Sequence, residues 1–164
     1  MVLDLREAFA TEGYRSSVEY KLDLSDVSFS GTYPLTQPVQ VVASLSNKAG
    51  VLLLRIQCTA RYLAPCDRCG EESAELIPVD IEHILATEIQ NEDNCNIIPV
   101  TENKLNLDEL CRADVLLQIP MKHLCSPTCK GLCPGCGKNL NKEACCCKNT
   151  VVDERLSALA DLLK

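Results

Sequence analysis

The chain has 164 residues, 12 of them cysteine, and a formal net charge of −7. That length suits one domain with a core and a small appendage, and it excludes two domains of ordinary size. The sequence predicts neither a secretory leader nor a membrane span, because the first residues are MVLDLREAFA and the longest aliphatic run is VLLL at 51–54. We therefore expect a cytoplasmic, reducing location, where clustered thiols bind metal rather than form disulfides.

The first ninety residues predict a β-rich region. Alternating apolar and polar residues favour strands at 16–27, 38–46 and 51–64. The sequence SNKAG at 46–50 supplies a turn between the last two of these strands, which predicts a hairpin. Residues 73–89 fit either a strand broken by Pro78 or a short helix, and we favour the strand.

The second half of the chain predicts helices and loops. Residues 90–104 are mostly polar and indicate a loop. A helix is predicted over 106–119, capped by Asn106 or Asp108 and ended by Pro120, with an apolar face made of Leu107, Leu110, Cys111, Val115 and Ile119. A second helix is predicted over 153–163, with Asp153 as its N-cap and Leu156, Leu159 and Leu163 on one stripe.

These elements predict an α+β fold, with an antiparallel β-rich core, one or two packed helices and a C-terminal cysteine-rich zinc-binding appendage. The predicted division is an acidic core over 1–120, a zinc-binding segment over 121–150 and a C-terminal helix over 151–164. Residues 1–120 hold 9 Lys/Arg and 19 Asp/Glu, for a charge of −10, whereas residues 121–164 carry +3.

Seven of the cysteines fall between residues 125 and 147. Four of them, Cys133, Cys136, Cys145 and Cys147, have the spacing of a four-thiolate zinc site. Cys125 and Cys129 remain in the same stretch and could join the distant pair Cys66 and Cys69 in a second site. We predict two Zn²⁺ ions, and a single ion with a free CDRC pair stays the open alternative.

Four cysteines remain outside this scheme. Cys58 and Cys111 lie within apolar patterns and suit buried small hydrophobic residues, whereas Cys95 lies in a polar stretch. Cys146 lies between two predicted ligands and could replace either Cys145 or Cys147, so the sequence leaves that assignment open.

Catalytic patterns are weak. Cys129, Cys133 and Cys136 have the spacing of a radical-SAM cluster, but that enzyme class needs a large βα barrel. The CDRC pair lacks the βαβ context of a thioredoxin, and Asp67 beside the thiols opposes thiolate formation. His83 and His123 have no Ser or Asp partner pattern, although His123 could be an auxiliary ligand. We predict that the protein is not an enzyme and has no small-molecule substrate.

Several segments together resemble the bacterial large ribosomal RNA subunit accumulation protein family, also called YceD. The similar segments cover about residues 60–164 and include PCDRCG, LLQIPMKHLC, CKGLCPGCGKNLN, the closing CCC and VDERLSALADLL. The resemblance implies a non-enzymatic cytoplasmic protein that is needed for accumulation of large-subunit ribosomal RNA, and hence a role in ribosome biogenesis. The alternative hypothesis from a different class is a zinc- or thiol-based redox sensor.

Five lysines surround the cysteines and are predicted to contact RNA or a partner: Lys122, Lys130, Lys138, Lys142 and Lys148. Lysine–phosphate contacts give salt-dependent affinity without sequence preference. A zinc ion held by four thiolates carries a formal charge of −2, which weakens the local positive field. The partner is therefore either ribosomal RNA or a protein of the ribosome precursor, and the sequence does not fix the oligomeric state.

Overall fold

The computed structural model describes residues 1–29, 31–87 and 97–147. In these ranges the elements, in chain order, are β1 (Val2–Asp4), α1 (Arg6–Ala10), β2 (Arg15–Leu22), β3 (Val39–Lys48), β4 (Val51–Pro65), β5 (Glu72–Ala86), β6 (Ile97–Pro99), β7 (Lys104–Asn106) and α2 (Leu107–Gln118). Strands β2 to β6 form one sheet in sequence order, and β1 pairs with β7 in a separate two-stranded ribbon. No helix of the described residues combines the length and apolar character that crossing a membrane requires.

The main sheet is mixed, so the prediction of an antiparallel sheet is wrong for one pair of strands. The pairs from β2 to β5 are antiparallel, but β6 runs parallel to the end of β5. Strand β6 lies within the stretch 90–104, which was predicted to be a loop. Its two isoleucines pair with β5, and a three-residue strand is too short to show an alternating pattern.

The core lies on one face of this sheet. Alternate residues of β3 and β4 are buried there, including Val41, Leu54 and Ile56, each with 0% exposure. Helix α2 packs against the same cluster through Leu107, Cys111 and Val115. Full burial of such a side chain stabilises the fold by about 1.5–3 kcal/mol, so this layer supplies much of the stability.

The predicted hairpin between β3 and β4 is confirmed, with a tighter turn than SNKAG suggests. Lys48 pairs with Val51, which leaves a two-residue loop. Ala49 and Gly50 both have positive φ, 52° and 82°, as a two-residue turn that matches the strand twist requires. Asn47 is not in the turn but buried in β3, where its Nδ2 donates to the carbonyl oxygen of Ala8 at 2.8 Å.

Two strand boundaries differ from the predictions for local reasons. Strand β2 ends at Leu22 because the carboxylate of Asp23 accepts the N–H of Ser25 at 2.9 Å and turns the chain. Strand β5 is continuous through Pro78, which pairs with Thr59 of β4. On its other side β5 pairs with β6 only near its end, so among the described residues Pro78 borders an open edge where a missing N–H is tolerated.

Helix α2 confirms the predicted helix over 106–119, and Pro120 follows its end. Asn106 occupies the N-cap position, but its side chain does not make the predicted capping hydrogen bond. One residue on the buried face of α2 is polar. Asp114, 3% exposed, has its carboxylate 2.9 Å from Nε2 of His83 on β5. This contact ties the helix to the sheet, because a buried carboxylate without a partner is costly.

The predicted helix over 153–163 lies outside the described residues, as do Cys95 and Lys148. The division into a core over 1–120, a cysteine-rich segment over 121–150 and a C-terminal part over 151–164 stays a prediction.

Candidate metal centre

The described cysteines form two groups of four. The first cysteine group contains Cys66, Cys69, Cys125 and Cys129, and the second contains Cys133, Cys136, Cys145 and Cys147. Within each group the four sulfurs lie within 4.8 Å of one another. The structure thus brings together all eight residues predicted from spacing, including the pair at 66 and 69 that lies far away in sequence.

The sulfur–sulfur distances suit a shared metal ion. In the first group Cys66 and Cys129 are 3.9 Å apart, and Cys69 and Cys125 are 3.6 Å apart. In the second group, Cys145 lies 3.3 Å from Cys133 and 3.4 Å from Cys136. Four sulfurs about 2.3 Å from one zinc ion form a tetrahedron with edges of about 3.8 Å. A disulfide would need about 2.05 Å, and all eight thiols are free.

The two Cys-x2-Cys turns are built alike. The N–H of Gly70 donates to the carbonyl oxygen of Cys66, and the N–H of Gly137 donates to the carbonyl oxygen of Cys133, both at 2.8 Å. In return, the N–H of Cys66 donates to the carbonyl oxygen of Glu71, and the N–H of Cys133 donates to that of Lys138, again at 2.8 Å. Two distant stretches therefore adopt the same turn, which directs a pair of sulfurs to one point.

The thiols within each group differ in pKa. The pKa of Cys66 falls to about 6 because backbone N–H groups, first that of Cys125, donate to its sulfur. The pKa of Cys133 also falls to about 6, chiefly because the Cys145 thiol donates to it and backbone N–H groups add to the effect. The pKa of Cys125 rises to about 12, because its proton is held between neighbouring sulfurs, first that of Cys129. Ionisation of all four thiols in a group would therefore need a cation to displace the remaining protons and balance the charge.

The first group is clamped between the sheet and the later segment. Strand β4 ends directly before Cys66, and the two residues after Cys66, Asp67 and Arg68, form hydrogen bonds with the later segment. The N–H of Asp67 donates to the carbonyl oxygen of His123 at 2.9 Å, and the N–H of His123 donates to the Asp67 carboxylate at 2.7 Å. Arg68 donates from Nη1 to the carbonyl oxygen of Cys129 at 2.7 Å. Cys66, Cys69 and Cys129 are buried by this arrangement.

The second group is more open than the first. Cys133 is buried, but Cys136 and Cys147 are exposed. Cys145 and Cys147 belong to the group, whereas the exposed Cys146 between them does not. On this geometry the donors at 145–147 are the outer two cysteines, and their role as ligands stays a prediction.

The thiols of both groups fit a thiophilic ion such as Zn²⁺, since all four donors are sulfur and lie within 4.8 Å of one another, close enough to share one tetrahedral ion. The geometry does not identify the ion. Cys58 and Cys111 are buried in the main core, as predicted, and burial raises the pKa of each to about 11. They are therefore poor nucleophiles.

Four of the five lysines predicted to contact RNA or a partner lie within the described residues, and they differ in their surroundings. Lys138 forms an ion pair with Glu143 at 3.2 Å, and Lys142 forms one with Glu71 beside the first Cys-x2-Cys turn. Lys122 and Lys130 are exposed and form no ion pair with the part of the chain that is described. The predicted cation cluster is thus partly neutralised by its own neighbours.

Sequence reasoning missed the surroundings of His123. Its Nε2 lies 2.7 Å from Oγ of Ser73, and its Nδ1 lies 3.2 Å from the carboxylate of Glu75. The serine, histidine and carboxylate follow one another as in the triad of a hydrolase. The His123 ring, however, is only 4% exposed and packs edge-on against Tyr62, which leaves little room for a substrate. His123 belongs to neither cysteine group. It anchors the cysteine-rich segment to the sheet, and only the alternation on β5 could have suggested that Ser73 and Glu75 share a face.

Comparison with known proteins gives a consistent result. The family model for the large ribosomal RNA subunit accumulation protein YceD matches residues 54–163. A protein of Arabidopsis thaliana, named large ribosomal RNA subunit accumulation protein YCED homolog 1, chloroplastic, is 26% identical over an alignment that covers 79% of this chain and 50% of that protein. The protein of the same name from Zea mays is 28% identical over an alignment that covers 82% of this chain and 56% of that protein.

The chain spans about half the length of these curated relatives, 50% and 56%. No solved structure matches it. The matched range 54–163 contains all eight clustered cysteines and agrees with the resemblance seen over about residues 60–164. Because this match covers more than half of the sequence, the chain belongs to the large ribosomal RNA subunit accumulation protein YceD family.

Proposed function

We propose that this protein is a zinc-stabilised, non-enzymatic factor that supports accumulation of large-subunit ribosomal RNA. The observation that carries the proposal is the coincidence of both four-thiol groups with the range matched by the YceD family. The names of the two curated relatives support the same role.

The metal has a structural task in this proposal. Each group supplies four sulfurs, which leaves no open coordination position for a substrate or a reactive water. The first group would fasten residues 121–147 to the end of β4, and the second would close the loop between Cys136 and Cys145. Zn²⁺ is the proposed ion because four thiolates in a tetrahedron suit it without any redox chemistry.

The partner is ribosomal RNA or a protein of the ribosome precursor, bound by a surface that the metal holds in shape. Lys122 and Lys130 are the strongest of the predicted contacts, because Lys138 and Lys142 already face carboxylates. A second area with more cations than anions lies on the sheet, where the lining of a depression of about 540 Å³ includes Arg15, Lys48 and Arg55, the carboxylate of Glu82 and several serines. Charge reversal at 122 and 130, compared with charge reversal at 15 and 48, identifies which surface contacts the precursor.

The test is depletion followed by complementation. Depletion is expected to lower the ratio of large- to small-subunit ribosomal RNA, and the wild-type chain should restore it. Cys147→Ser should fail to restore the ratio, whereas Cys146→Ser, its exposed neighbour outside the group, should succeed. An unchanged ratio on depletion, with no association of the protein with precursor particles, contradicts the proposal.

The alternative of a redox sensor is not favoured by the family or by the names of the relatives. The cytoplasmic location is retained as part of the proposal, because free thiols in these groups need reducing surroundings. The two relatives are named as chloroplastic, so the compartment is best checked directly by fractionation.

A further inference from the structure

One side chain of the second cysteine group's loop contacts the first group. Asn141 lies in the stretch 137–144, which joins Cys136 to Cys145. Its Nδ2 lies 3.2 Å from Sγ of Cys129, a member of the first group. The loop that closes one cluster therefore carries a hydrogen-bond donor for a sulfur of the other.

The orientation of this amide is fixed by its other contacts. Oδ1 of Asn141 accepts the backbone N–H of Lys130 at 2.8 Å. A backbone N–H can only donate, so the amide oxygen must face Lys130 and the amide nitrogen must face the sulfur. The remaining N–H of Nδ2 is directed to Oδ1 of Asn139 at 2.9 Å. Asn141 is thus held as a donor to Cys129.

The loop is fastened at both clusters. The N–H of Leu140 donates at 2.9 Å to the carbonyl oxygen of Gly131, which lies between Cys129 and Cys133 in the sequence. Lys142 forms its ion pair with Glu71, which follows the first Cys-x2-Cys turn. Closure of the second group by Cys145 therefore sets the position of a loop that lies against the first group.

We propose that Asn141 is a positioning residue that couples the two metal sites. Metal in the second group holds the loop closed, the loop holds the Asn141 donor on the Cys129 sulfur, and that donor raises the metal affinity of the first group. The inference rests on the proposed metal binding and goes beyond it, because two independent sites would serve the structural role equally well. By linkage, metal in the first group raises the affinity of the second by the same factor.

Outer hydrogen bonds to metal ligands change metal affinity by about 10- to 100-fold when they are removed. Asn141→Asp is the sharpest substitution, because it keeps an oxygen for the Lys130 N–H and places a second oxygen, without a proton to donate, against the sulfur. We expect it to weaken the first site by about 10-fold or more. Lys138→Ala is the matched control, since Lys138 lies on the same loop and its side chain forms a surface ion pair with Glu143.

The experiment is a double-mutant cycle on the reduced full-length chain, with Cd²⁺ as the probe and cadmium NMR to observe each site separately. Affinities come from competition with a chelator. Asn141→Asp is measured in the wild-type background and in a background whose second site is disabled by Cys136→Ser and Cys145→Ser.

The proposal predicts that disabling the second site weakens the first. It also predicts that Asn141→Asp weakens the first site in the wild-type background and shifts its cadmium resonance, but has little further effect once the second site is absent. Unchanged first-site affinity in Asn141→Asp, or an equal loss in both backgrounds, overturns the coupling. A wild-type chain that binds no metal instead overturns the proposed metal role, and that result is seen before any variant is made.

Discussion

The sheet and the cysteine-rich segment are stabilised in different ways. Alternate residues of β3 and β4 are buried in one apolar cluster that includes helix α2. Between residues 121 and 147, by contrast, the buried side chains are His123, Cys129 and Cys133, and every Leu and Met is at least partly exposed. We therefore expect the sheet to fold by apolar burial, whereas the segment has too little apolar core to hold its shape without its thiols. Bound metal is accordingly expected to stabilise the cysteine-rich segment and to leave the sheet unaffected.

The largest expected effect is loss of the first metal site. The double substitution Cys66→Ser and Cys69→Ser removes two of its four donors, and zinc binding in such sites has an apparent free energy of about 10–16 kcal/mol. We expect amide protection in residues 121–147 to collapse while β3 and β4 stay protected. Hydrogen exchange measures both regions at once.

Cys146→Ser is the control for this change and should leave protection as in the wild type. Equal loss of protection in the sheet and in the segment would contradict the separation of the two regions.

A substitution in the core of the sheet should destabilise the sheet, whereas loss of the first cysteine group should destabilise residues 121–147. Ile56→Ala removes a fully buried side chain from β4 and should lower the free energy of unfolding of the sheet by about 2–5 kcal/mol. Denaturant unfolding followed by far-UV circular dichroism measures the change. Thr59→Ala, at an exposed position of the same strand, should change it by no more than about 0.5 kcal/mol. If the two variants unfold alike, the sheet is not held by this apolar layer.

Gly131→Ala tests the contact between the two cysteine groups. Gly131 has φ 75°, and an added Cβ would lie 3.0 Å from the carbonyl oxygen of Arg68. The backbone strain alone costs about 1–2 kcal/mol, and the close contact displaces the first Cys-x2-Cys turn as well. We expect weaker metal binding at the first site, measured by chelator competition.

Gly13→Ala is the matched variant, since Gly13 has φ 77° with nothing near the added Cβ and lies in the sheet region. It should carry the strain without the loss of metal affinity. Equal metal affinity in the two variants would show that the Gly131 contact does not support the first site.

The smallest expected effect lies in the hairpin of the sheet. Ala49 has φ 52°, which is unfavourable for any residue with a Cβ, so Ala49→Gly should stabilise the sheet by up to about 1 kcal/mol. Thermal unfolding measures it, and metal affinity should not change. A lower unfolding temperature would contradict relief of backbone strain at Ala49.

The sequence predicted local order better than long-range contacts. Alternation placed β2, β3 and β4 with their hairpin, and the 3.6-residue period placed α2, because these patterns record which face is buried. Strand β5 was favoured only over a short helix, and its continuity through Pro78 was not predicted. Strand β6 was missed, since three residues carry no period. The partners of His83 and His123 were missed too, because their contacts with Asp114, Ser73 and Glu75 join residues at least 31 positions apart in sequence.

The cysteines were the exception to this limit. Because a zinc site needs four donors, counting favoured a second group of Cys66, Cys69, Cys125 and Cys129 over a free CDRC pair, and the structure brings these four sulfurs together. Spacing could not choose among Cys145, Cys146 and Cys147, because the three are adjacent in sequence and only the backbone conformation decides which side chains point towards the group. It also could not reveal Asn141, since a single amide in a polar loop has no distinguishing pattern.

The most direct test of the account is the metal content of the reduced, full-length chain, counted by native mass spectrometry together with hydrogen exchange. The account predicts two ions per chain, one ion after Cys136→Ser and Cys145→Ser, and loss of protection in residues 121–147 after chelation. A chain that binds no metal and still protects that segment would contradict it.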